Sequence, residues 1–96
     1  MNSNFLSVNS QGGIATIDGD NSTYESIRVE HESEGTYHVT WSPLSVIPAV
    51  LVTAHHGVDQ AIVGTAGYVT EESMYVYTRN MDGQLVDEQF SMVMYS

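Results

Sequence analysis

The chain has no cysteine and no lysine, and apart from its histidines its only cations are Arg28 and Arg79. The missing cysteine excludes a disulfide framework and a thiolate nucleophile, and leaves the redox compartment unread. Two arginines stand against twelve acids, for a net charge of −10. Nucleic acid and anionic membrane surfaces, which both need a basic stripe, are therefore excluded as partners. No apolar run approaches the length of a membrane span, so no membrane insertion is expected, and residues 1–8 lack the charged start and apolar core of a secretion signal. Helical periodicity is missing throughout. So are a Gly-x-Ser-x-Gly elbow and a glycine loop leading into a helix. Charged residues make up only 15% of the chain, against about 25% in ordinary domains. Its surface must then be built from Ser, Thr, Asn, Gln, Gly and Tyr, a composition suited to uncharged polar ligands and protein contacts. The acidity itself serves solubility or suits a salty environment.

What is present is period-2 alternation, recurring between turn signals every eight to twelve residues or so. At 96 residues this makes one domain, residues 1–96, with a core that is adequate but not generous. Seven or eight strands are expected in an antiparallel all-β, jelly-roll-like sandwich. They lie at Phe5 to Val8, Ile14 to Ile17, Tyr24 to His31, Thr36 to Trp41, Ala49 to Ala54, within Gln60 to Val69, at Ser73 to Arg79, and at the end of the chain. Tyr37, Val39 and Trp41 are expected to face inward. Asp18 to Ser22 reads as a turn, and Asn80-Met-Asp-Gly83 as a hairpin connection into the last strand. Ala49 to Ala54 and Phe90 to Tyr95 are apolar on both faces, which predicts burial in the core and again against a second sheet or subunit.

The succession Gly35-Thr-Tyr-His-Val-Thr-Trp-Ser-Pro43, Ile47-Pro-Ala-Val-Leu-Val-Thr-Ala54, Thr78-Arg-Asn-Met-Asp-Gly83 and Val86-Asp-Glu-Gln-Phe-Ser91 resembles the small C-terminal β-domains that end phage tail fibres and bacterial collagen-like or fibre-forming proteins. It covers residues 35 to 95, and a similar layout occurs in H-type lectins and in trimeric heads related to tumour necrosis factor. The resemblance implies a homotrimer at a fibre tip, on a virion or extracellular surface, contacting a cell-surface receptor or glycan. The alternatives are a free-standing H-type-lectin-like carbohydrate-binding protein and a virion structural protein that binds only other virion parts. The shared positions are architectural, so no binding residue is carried over.

The candidate ligand-binding residues come from the alternation itself. Tyr75, Tyr77 and Arg79 fall on one face of a strand, opposite Met74, Val76 and Thr78. Aromatic rings stack on the apolar face of a sugar, and arginine donates to hydroxyls or carboxylates; subunit contact and cross-strand pairing are the competing uses of the same face. His55-His56 would bring imidazoles together at a symmetry axis, but neighbours on a strand point oppositely, so no metal site is expected. Asp18-Gly-Asp-Asn-Ser22 begins like a calcium loop, yet the position that needs glutamate is Val29 and no helices flank it. Glu30, Glu32 and Glu34 alternate with His31 and Ser33 and read as a solvated edge that discourages aggregation. With no catalytic constellation, no cofactor and no enzymatic activity are expected.

Overall fold

The computed structural model describes residues 3–19, 26–54 and 62–95. The alternating segments form eight strands: β1 (Ser3–Val8), β2 (Ile14–Gly19), β3 (Arg28–Ser33), β4 (Thr36–Thr40), β5 (Ala49–Ala54), β6 (Val63–Gly67), β7 (Ser73–Arg79) and β8 (Phe90–Tyr95). They make two four-stranded sheets, ordered β2-β1-β8-β5 (sheet A) and β3-β4-β7-β6 (sheet B). Every pairing is antiparallel. The protein is an all-β sandwich.

Period 2 explains the core. Leu6 and Val8 of β1 and Phe90, Met92 and Met94 of β8 point inward from sheet A, and Tyr37, Val39, Met74 and Val76 point inward from sheet B, all fully buried. Val50 and Val52 of β5 and Val29 of β3 pack against this cluster. Trp41 closes one end: its indole Nε1 donates to the Glu71 carbonyl at 2.8 Å, and its backbone N–H donates to the Glu72 carbonyl. The loop after β4 is thereby stitched to the turn between β6 and β7. At the other end the buried Tyr37 hydroxyl donates to the carbonyl of Ser10 at 2.8 Å. Asn4 is 2% exposed, and its side-chain amide has no hydrogen-bond partner among the described residues.

The turn between β3 and β4 shows why glycine stands there. Gly35 has φ +69, and a Cβ on it would lie 2.7 Å from the Thr78 carbonyl oxygen. Its N–H donates to Asp87 Oδ1 at 2.7 Å, and the same oxygen lies 2.7 Å from His31 Nε2. The His31 ring in turn stacks on Tyr37, with centroids 4.9 Å apart. One carboxylate thus ties the β3–β4 turn to the segment that leads into β8.

Several expectations are corrected. β8 is central, between β1 and β5, with its inner face in the core, but Val93 and Tyr95 on its outer face are half-exposed. β5, expected to be covered on its second face by a second sheet or a subunit, is an edge strand, and no second sheet of its own chain covers that face among the described residues. Its inner face packs on the core while Ala49, Leu51 and Thr53 are exposed, Leu51 by 65%. A run of apolar residues reads the same whether or not its own chain covers the second face. Asn80 to Gly83 does form a tight turn, with Gly83 N–H donating to the Asn80 carbonyl at 3.0 Å. Leu85 then makes only a bridge to Arg79, and the chain crosses to the other sheet before β8 begins. β2 continues through Asp18 and Gly19, where a turn was expected; residues 20–22 lie outside the described residues. β3 starts at Arg28, and Tyr24 likewise lies outside them.

Candidate functional site

β7 is the source of the site. Met74, Val76 and Thr78 are wholly buried on its inner side, which fixes Tyr75, Tyr77 and Arg79 on the outer surface of sheet B. The structure thus places the three candidate residues on one open face. Tyr75 and Tyr77 are stacked with centroids 6.1 Å apart and planes 17° apart, and the Arg79 guanidinium carbon lies 5.8 Å from the Tyr77 ring centroid. Arg79 is held there by donating from Nη1 to the Gly83 carbonyl at 3.1 Å. A cation over a ring face is an attractive arrangement in itself.

Two further rings join this row from other strands. The β4–β7 register sets His38 directly opposite Tyr75, and the rings stack at 4.5 Å with 14° between planes. Tyr68, just after β6, meets Tyr75 edge-on at 6.1 Å and 84°. Its backbone has φ 52, a left-handed conformation that costs a bulky residue of order 1–3 kcal/mol. Next to it the turn is braced by Thr70, whose Oγ1 accepts from the N–H groups of Glu72 and Ser73. That unfavourable backbone holds a tyrosine ring that is 78% exposed. Gly67 completes the surface, because a Cβ there would stand 2.8 Å from Tyr77 Cε2. Only glycine lets the Tyr77 ring lean over β6.

The electrostatics are set by β3. Glu30 is registered opposite His38, and Glu32 sits at the irregularity in the β3–β4 pairing; both are exposed. Burial by its neighbours, and after it the Glu32 carboxylate, raise the Tyr75 phenol above its ordinary value near 10. Tyr75 therefore stays a neutral hydroxyl at physiological pH. The result is a ridge of rings with carboxylates along one flank and a guanidinium at one end. Ring faces offer stacking, the carboxylates accept hydrogen bonds, and the guanidinium donates them.

His38 and Tyr68 were not among the residues expected from the sequence. His38 is recruited by strand register and Tyr68 by a turn, and period 2 along β7 carries neither. His31 takes a different place from His38: it is turned toward Asp87 and Tyr37 and serves the packing of the hairpin. His55 and His56 lie outside the described residues. No group of three or more His, Asp or Glu side chains able to hold a metal occurs among the described residues, and no helix long and apolar enough to cross a membrane occurs among them. A scan against models of known families and searches of curated proteins and solved structures returned no match to this chain.

Proposed function

We propose that the chain is a non-enzymatic recognition module that binds carbohydrate on the outer face of sheet B, in the manner of a receptor-binding fibre tip. The observation that carries this reading is the aromatic ridge His38, Tyr75, Tyr77 and Arg79 with the strained, exposed Tyr68 beside it. A fold gains nothing in stability from holding an exposed tyrosine at positive φ, so the strain is offset by use. Carbohydrate fits this surface in three ways. Sugar C–H faces stack on open rings, sugar hydroxyls donate to Glu30 and Glu32, and an uncharged ligand is not repelled by a chain of net charge −10. The open face suits an extended glycan better than a small molecule that needs enclosure. The homotrimer implied by the resemblance to fibre-tip domains belongs to this proposal, and the same face would serve a free-standing lectin equally well.

The test is a broad glycan panel read by binding and by ligand-dependent thermal shift. A bound sugar should raise the melting temperature, and Tyr77→Ala should abolish the shift while the fold, read by circular dichroism, survives. Tyr68→Gly removes a ring and relieves its backbone strain together, so it should weaken binding at least tenfold without loss of stability. Silence across the panel, or binding indifferent to both substitutions, overturns the reading.

A further inference from the structure

On the far side of the molecule, sheet A presents an outer face that its own chain leaves uncovered among the described residues. Antiparallel register sets Phe5 opposite Val93, and Val93 opposite Leu51, making one apolar row across β1, β8 and β5. Phe5 is 39% and Leu51 65% exposed. The next row is Ser7, Ser91 and Thr53, whose small side chains leave a shallow apolar depression bordered by Phe5, Leu51 and Val93. On the other side of the apolar row lie Ala49 and Tyr95. None of these side chains carries a charge, in a chain with twelve acids; on the far side of Phe5 the row ends at Asp18 of the edge strand β2.

We infer that this face is where a second copy of the chain packs. The argument is electrostatic. Two copies, each at −10, repel wherever their carboxylates meet, and they close most readily on a surface poor in carboxylates, such as the uncharged rows of β1, β8 and β5. A basic foreign partner would be drawn to the acidic surface instead. The shape agrees: a ridge formed by Leu51 and a depression beside it share one face, which allows knob-into-hollow packing between like surfaces. Sheets stacked face to face lie about 10 Å apart with interdigitating side chains. Three strands about 4.8 Å apart present a few hundred Å², below the roughly 800 Å² per partner of a standard stable interface. Val46 and Ile47, exposed by 55% and 58% just before β5, add apolar surface at its rim. The association is therefore reversible and concentration-dependent.

Light scattering after size exclusion, across concentrations and from about 0.1 M to about 1 M salt, reads the outcome. The chain should weigh two or three copies at high concentration. Assembly should strengthen at least severalfold with salt, as screening removes the repulsion between copies. Leu51→Glu, at an exposed edge position, should give a folded monomer, and Phe5→Ser should shift the equilibrium the same way without adding charge. A wild-type monomer at high concentration in high salt overturns the inference. So does an oligomer that both variants leave intact. Glycan binding by the monomeric Leu51→Glu variant is measured separately, so the two faces succeed or fail independently.

Discussion

Gly35 shows how much of this fold rests on single atoms. Its φ is +69, and a Cβ there would stand 2.7 Å from Thr78 O and 2.8 Å from Val86 N, which leaves no room for any side chain. Gly35→Ala should cost about 2 kcal/mol or more, the sum of a left-handed alanine and a backbone clash. A lowered urea midpoint with an unchanged slope would confirm it; a midpoint equal to that of the wild type would show that the turn can rearrange. At this scale the sequence is informative where chemistry is local. Gly35 and Pro48 announce a turn and a strand start, and Tyr75, Tyr77 and Arg79 announce a shared face. It is silent on Tyr68, whose importance comes from a backbone angle that the residue name argues against. Asp87 is equally unannounced, since its partners His31 and Gly35 stand more than fifty positions away.

Among the elements, β8 matters most. It pairs with β1 on one side and β5 on the other, and it supplies Phe90, Met92 and Met94 to the core. Deletion of residues 90–96 should therefore abolish cooperative unfolding altogether, because it splits sheet A and opens the core. A truncated chain with a sharp thermal transition would show that sheet B folds without it. The central place of β8 agrees with the expectation drawn from its two apolar faces, but β5 carries the same pattern at an edge, so facial hydrophobicity alone does not tell a central strand from an edge strand. The second apolar face of β5 is exposed in the single chain, and hydrophobicity does not record whether another surface covers it. Nor did the turn at Asn80 to Gly83 reveal that the chain changes sheets after it, since turn chemistry sets a reversal and not the strand that follows.

For the molecule as a whole, the alkaline response to pH has two phenols behind it, Tyr75 on the open face and the buried Tyr37, both raised above their ordinary value. Tyr37 bridges sheet B to the β1–β2 turn, its hydroxyl donating to the Ser10 carbonyl. Burial and then the nearby Asp87 and Glu88 charges raise it above its ordinary value near 10. The unfolded chain releases this proton first, so the contribution is complete below about pH 10 and is lost as pH rises from there through the higher folded-state value. Stability should fall along an alkaline limb, and Tyr37→Phe should make that limb shallower while lowering neutral-pH stability by about 1 kcal/mol for the lost hydrogen bond. Chemical denaturation at a series of pH values separates the two effects; an alkaline limb of unchanged slope in the variant would assign it to other groups. Both faces of the sandwich are then accounted for in different ways. Sheet B's outer face carries rings, carboxylates and a guanidinium, whereas the uncharged rows of β1, β8 and β5 on sheet A carry apolar and small polar side chains.

The pairing of β1 with β8 also dictates an order of events during synthesis. The β1–β2, β3–β4 and β6–β7 pairings close between neighbours in the chain, whereas the second partner of β1 lies more than eighty residues downstream. Until β8 is made, one edge of β1 is unpaired and Leu6 and Val8 lack the Phe90, Met92 and Met94 side chains beside them in the core, so the growing chain is exposed to aggregation for as long as that closure takes. Mutual repulsion among nascent chains, each already carrying most of the acids, opposes association over that interval.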